Sequence, residues 1–176
     1  MILVELEPSH RAAFASFRDE LLAAGEIGRV SDLATDDFDF DRHVVRLAAD
    51  ARGDNLPAGI VAQRTFWLVA GQEILGMTRL RLELTPTLLD HGGNIGYFIR
   101  PSMRRLGVGT RILALALGKA RESGLDRVLI TCAADNLGSR RIIERNGGEL
   151  ASESVSTAAR VLVRRYWINL APRPVT

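Results

Sequence analysis

One stretch limits the folds open to this chain more than any other. Residues 95–110 read Ile-Gly-Tyr-Phe-Ile-Arg-Pro-Ser-Met-Arg-Arg-Leu-Gly-Val-Gly-Thr. Ile95 to Ile99 is a short apolar run with β-branched and aromatic members, which predicts a buried strand. Pro101 ends it, because proline has no N–H to give to a ladder. Two arginines and Gly107-Val108-Gly109 follow. The next run, from Thr110 to Leu117, is rich in helix formers with apolar residues at helical spacing. A helix that begins on a glycine turn has unpaired N–H groups and a partial positive charge at its first turn. Glycines let an anion approach those donors, and flanking arginines add fixed charge, so the stretch predicts a phosphate or pyrophosphate cradle. Gly107 and Gly109 are both expected to face the ligand and not the core.

Spacing narrows the choice of anion site. A dinucleotide fingerprint wants a third glycine where Ile112 stands, and an acid after the next strand, whereas Asp126 precedes it. A phosphate loop of the Walker type needs a lysine before Ser or Thr, but Gly109 precedes Thr110. Length and composition suit one soluble domain, expected over residues 1–170, with 171–176 as a frayed tail. The net charge of +2 is too small to argue for nucleic acid. No run is long enough to span a membrane and no secretory signal opens the chain. The one cysteine, Cys132, excludes an internal disulfide and suits a reducing cytoplasm. No metal site is expected, and the chain is expected to act as a monomer or homodimer.

Taken in order, Ile2 to Leu6 predicts a strand closed by Pro8. Ser9 caps a helix to about Ala24, with Phe14, Phe17, Leu21 and Leu22 as its apolar stripe. The acidic run Asp36 to Asp41 opens a second helix, Phe38 to Ala51, in which His43 is solvated or caps. Thr65 to Val69 and Ile74 to Leu84 predict a hairpin; in the second strand Leu80, Leu82 and Leu84 face one way, and Arg79, Arg81 and Glu83 the other. Thr85 to Gly93 is loop. Arg127 to Cys132 predicts a strand parallel to the central one, joined to it by the glycine-turn helix as a right-handed crossover. Asn136 is a good N-cap and Gly147 a good terminator for the next helix. Leu150 to Val155 and Arg160 to Ile168 close the fold as an antiparallel pair, with Val161, Val163 and Trp167 on one face.

Arg104-x-x-Gly107-x-Gly109 resembles the pyrophosphate motif of the GNAT superfamily of N-acyltransferases, Gln/Arg-x-x-Gly-x-Gly/Ala. Asn136-x-x-Ser139, with Glu144-Arg145-x-Gly147 after a short helix, resembles that superfamily's later motif. The order of elements agrees from Ile2 to Ile168. The resemblance implies a mixed α/β fold, with a central mixed sheet of about six to seven strands flanked by about four helices.

It also implies acetyl-coenzyme A as acyl donor and a primary amine as acceptor. Backbone groups of Phe98, Ile99 and Arg100 pair with the pantetheine arm like an added strand. Amides of Arg105, Leu106, Gly107, Val108, Gly109 and Thr110 hold the pyrophosphate, helped by the Arg104 side chain. Asn136 and Ser139 meet the pantetheine from the other side, and Arg140, Arg141 and Arg145 are placed to reach the adenosine phosphate. The amine attacks the thioester directly while a strand amide near Ile99 polarises the carbonyl. The chain departs from the family at its proton carriers. The tyrosine many members use as acid is Ile143 here, and Gly92-Gly93-Asn94 stands where some carry a glutamate. Glu83 and His91 are the substitutes expected, with Tyr97 and Cys132 behind them. Without a base the chain reads instead as a non-catalytic acyl-coenzyme A binding or sensing domain.

Overall fold

The computed structural model describes residues 1–35 and 37–170. The expected tail and Asp36 of the acidic run lie outside them. In chain order the elements are β1 (Ile2–Val4), α1 (Arg11–Ala23), α2 (Phe40–Arg52), β2 (Gln63–Ala70), β3 (Glu73–Arg81), α3 (Pro86–Asp90), β4 (Ile95–Ile99), α4 (Val108–Glu122), β5 (Arg127–Ala133), α5 (Leu137–Arg145), β6 (Glu149–Val155) and β7 (Leu162–Asn169). The class is mixed α/β, as expected. The seven strands form two antiparallel sheets, ordered β1-β2-β3-β4 and β5-β7-β6. Thus β4 and β5 are neighbours without a ladder between them. Among the described residues no helix is long and apolar enough to cross a membrane.

The first sheet is covered on both faces, which is why Phe66, Trp67 and Leu68 are all buried in succession. Trp67 packs with Phe14, Phe17 and Leu21 of α1 and with Phe40 and Leu47 of α2. Phe66 and Leu80 turn the other way, onto Leu113, Ala116 and Leu117 of α4. Leu22, expected in the α1 stripe, is exposed. Ser9 does not cap α1, whose N-cap is His10: a short turn over Pro8–His10, entered at Glu7, leads in, and Glu7 N–H donates to His10 Nδ1 at 3.0 Å. At α2, Asp39 is the cap, its Oδ1 accepting from Arg42 N–H at 2.7 Å. Phe38 therefore lies before the helix, stacked on Phe14 with ring centroids 5.3 Å apart.

His43 is not solvated. It is buried against Phe14, Phe38 and Trp67, and burial pushes its pKa down to about 4. The predicted β3 runs too long: the chain leaves the sheet at Arg81, so Leu82, Glu83 and Leu84 belong to no strand. In place of a loop, Thr85 caps the short α3, its hydroxyl accepting from Leu88 N–H at 3.3 Å. On β7 the residues that reach the main core are Tyr166 and Ile168. Val161 is exposed, and Trp167 lies under the Arg127 guanidinium, 4.4 Å from the ring centroid.

Candidate active site

The two sheets are pinned together just before β4, where Gly92 N–H donates to the Thr131 hydroxyl at 2.9 Å and Asn94 bridges both. Asn94 is buried just before β4. Its side-chain amide donates to Arg81 C=O at 3.0 Å, and its Oδ1 accepts from Leu129 N–H at 2.8 Å. Its own N–H donates to Leu129 C=O at 2.8 Å. Beyond Asn94 the strands β4 and β5 separate. A cavity of about 590 Å³ opens between the end of β4, the start of α4 and the first turn of α5.

The floor of that cavity is backbone. Among the described residues, none of the amides from Arg105 to Thr110 finds a hydrogen-bond acceptor. Arg105 and Gly107 both take left-handed conformations, φ 64° and 81°, which turns successive N–H groups toward one side as in an anion nest. The α4 dipole adds partial positive charge there. Arg105, Gly107, Gly109 and Thr110 line the cavity, whereas the side chain of Leu106 is exposed and that of Val108 is buried in the core. Space separates the two glycines. A Cβ on Gly107 meets nothing within 4 Å, but one on Gly109 would lie 2.4 Å from Ile142 Cδ1. Gly109 is therefore a packing glycine between α4 and α5 as well as a lining residue, which corrects the expectation that it faces only a ligand.

The arginines divide by what they already hold. Arg104 lines the cavity and forks onto Glu26, Nη1 to Oε1 at 2.8 Å and Nη2 to Oε2 at 2.5 Å, while its Nε donates to Ile99 C=O at 3.2 Å. The hydrogen bonds from Arg104 hold the Glu26 carboxyl below its ordinary pKa. Arg29, which no sequence motif marked, lines the same wall 3.6 Å from Glu26. Arg100 is turned away: its Nε pairs with Glu20 at 2.5 Å and its backbone N–H donates to Leu75 C=O at 3.0 Å. Those commitments remove Arg100 from the expected cofactor contacts. Arg141 and Arg145, on the exposed face of α5, line the far rim. Arg140 does not line it and pairs with Glu144 at 2.8 Å.

On the opposite wall Asn136 caps α5, its Oδ1 accepting from Ser139 N–H at 3.0 Å. The Ser139 hydroxyl in turn lies 2.7 Å from the Tyr97 hydroxyl, so β4 and α5 are linked across the cavity by side chains. Phe98 and Ile99 complete the β4 side. Ile143 is fully buried in the main core, and Cys132 is also buried.

Glu83 and His91 are both exposed and line no part of the cavity. They flank the Arg81–Asn94 end of the β3–β4 pair, while the cavity lies at its Ile99 end. The early end of β3 is the physical reason: alternation continues through Leu82 and Leu84 in sequence, but Asn94 diverts the pairing. The residues lining the cavity include no carboxylate or imidazole among those described. A smaller recess of about 270 Å³, lined by Asp32, Phe38, His43 and Arg46 among others, lies at the start of α2.

Fold and cavity together define an α/β domain whose sheets part beside an open nest of amides at a helix N-terminus. The chain belongs to the GNAT acetyltransferase domain family, whose profile matches residues 1–149. No curated protein matches it in sequence. Solved structures share the fold at low identity. The microcin C7 self-immunity acetyltransferase MccE, in complex with acetyl-CoA and AMP, is 12% identical with a TM-score of 0.64, over 95% of this chain and 91% of that one. An acetyltransferase from Salmonella typhimurium that modifies the N-terminal serine of ribosomal protein L7/L12 is 17% identical with a TM-score of 0.64, over 95% and 93%. Mycobacterium smegmatis RimJ, in complex with CoA-disulfide, is 18% identical with a TM-score of 0.66, over 95% and 80%.

Proposed function

We propose that the protein transfers the acetyl group of acetyl-coenzyme A to a primary amine by direct attack on the thioester. The observation that carries this reading is the run of unpaired amides from Arg105 to Thr110 at the cavity floor. A pyrophosphate there satisfies donors that otherwise have only solvent, and it meets the positive end of α4. Arg104 and Arg29 add charge on one side, Arg141 and Arg145 on the other. The pantetheine arm then follows the free edge of β4 past Phe98 and Ile99, facing Asn136 and Ser139. A β4 amide near Ile99 stabilises the developing oxyanion.

Because no base lines the cavity among the described residues, the attacking amine gives up its proton to water. Turnover should therefore rise with pH through the acceptor's own pKa. Peptides come first among acceptors to test, because the Salmonella typhimurium neighbour modifies a protein N-terminal serine. The experiment has two arms. Acetyl-coenzyme A should raise the melting temperature, as a ligand of the native state does, and NAD and ATP should do so far less. Thiol release is then followed over peptides, small amines and aminoglycosides. Equal stabilisation by all three nucleotides refutes the cofactor assignment. Tight binding without thiol release for any amine replaces transfer with sensing.

A further inference from the structure

The cavity holds a phenol directed across it, from a residue that ranks behind Glu83 and His91 in the sequence. Tyr97 stands on β4, yet its hydroxyl reaches the first turn of α5, 2.7 Å from Ser139 Oγ and 3.4 Å from Ser139 C=O. Tyr97 and Ser139 both line the cavity beside Ile99 and Asn136, where the reading above puts the pantetheine end of the cofactor. One helical turn beyond Ser139, Ile143 offers only hydrocarbon to the core. A phenol thus enters the space beside α5 from the strand wall, where the helix itself supplies none.

We infer that the Tyr97 hydroxyl donates a hydrogen bond to the departing coenzyme A thiolate, with Ser139 as the residue that positions it. The inference rests on the cavity being an acetyl-coenzyme A site. The amine nitrogen forms a bond to the acetyl carbon, and the amine proton passes to water. The C–S bond breaks with its electron pair on sulfur, and the thiolate, stabilised by the hydrogen bond from the Tyr97 hydroxyl, takes its proton from solvent. Among the described residues the Tyr97 hydroxyl has no hydrogen-bond partner other than Ser139. If Ser139 donates to it, its own hydrogen is free for sulfur. Burial pushes the Tyr97 pKa up to about 12, above that of a thiol, so the phenol keeps its proton and acts as a hydrogen-bond donor. The titratable group facing it from β5 is Cys132, itself raised by burial. Ser139 faces it from α5 and is neutral.

Tyr97→Phe keeps the ring and removes only the hydroxyl. The first measurement titrates the thiol of bound coenzyme A by thiolate absorbance, with parent, Tyr97→Phe and Cys132→Ala proteins. A donor to the thiolate lowers the pKa of that thiol, so the phenylalanine variant should raise it by about one unit, the scale of one hydrogen bond to a charged group. Cys132→Ala should leave it in place. The second measurement is turnover with any accepted amine, expected to fall roughly ten-fold in Tyr97→Phe, while acetyl-coenzyme A affinity stays within about three-fold. Ser139→Ala, which keeps the phenol, should lose less. An unchanged thiol titration in Tyr97→Phe overturns the inference whatever the turnover does. Failure of the parent protein to bind coenzyme A at all overturns the cofactor reading, and this inference with it.

Discussion

Asn94→Ala should be among the most damaging single substitutions in the protein, although Asn94 touches no predicted ligand. The asparagine side chain satisfies two main-chain groups at once, Arg81 C=O at 3.0 Å and Leu129 N–H at 2.8 Å. Alanine leaves both without a partner in a site that is 2% exposed. Each buried polar group left unpaired costs about 1–3 kcal/mol, so the expected loss is about 2–5 kcal/mol, a large part of a small domain's stability. Urea unfolding at neutral pH measures it, with the slope unchanged if only the native state is affected. Amide exchange gives a local reading, in which Leu129 N–H should lose protection more than amides at the centre of β7. Asn94→Asp should be worse still at neutral pH. It keeps the acceptor for Leu129 but turns an anionic oxygen toward the Arg81 carbonyl, so acidification should recover part of the loss. A cost below about 1 kcal/mol for alanine, with Leu129 still protected, would refute the view that this side chain joins the sheets.

Three further outcomes follow from the geometry. Gly109→Val should melt lower and bind acetyl-coenzyme A poorly, because its Cβ would lie 2.4 Å from Ile142; Gly107→Ala, with open space but φ 81°, should cost only about 1–2 kcal/mol by chemical unfolding. Asp90 accepts from Ser156 Oγ, Ala158 N–H and Arg165, which hold its carboxyl well below the usual range. Its folded-state pKa is depressed, so it contributes stability above about pH 4 that is lost as pH falls further, and Asp90→Asn should lower the neutral melting temperature while flattening that acid limb. Glu26→Gln removes the carboxylate that Arg104 and Arg29 now face, and calorimetry should show several-fold tighter acetyl-coenzyme A binding at low salt; weaker binding would mean that Glu26 serves to aim Arg104.

Elements with long apolar repeats were legible in the sequence. The helix after the glycine turn, the β5 run and the α5 cap at Asn136 each carry their cause within a few residues. What the sequence hid are arrangements made by distant partners. Arg100 and Arg104 look alike in the motif, but Glu20 takes one and Glu26 the other, 80 and 78 residues away in the chain. Glu83 appears to continue an alternating strand until the Asn94 side chain, which no period announces, diverts the pairing at Arg81. Tyr97 ranks behind Glu83 and His91 as a proton carrier until α5 is folded against it. The Pro86 helix does carry its cause locally, because a threonine cap before a proline at the first helical position is a start signal.

The floor of the cavity is written in main-chain atoms, and this makes it nearly invisible to alanine scanning. Every residue but proline supplies the same N–H, so replacing the side chain of Arg105, Leu106 or Val108 leaves the donor where it was. Proline substitution, which deletes one donor at a time, is the scan suited to such a surface. The same anonymity lets the amino acids around the turn drift while the turn keeps its shape. Chains 12–18% identical to this one can then share its framework with few residues left in common to betray it.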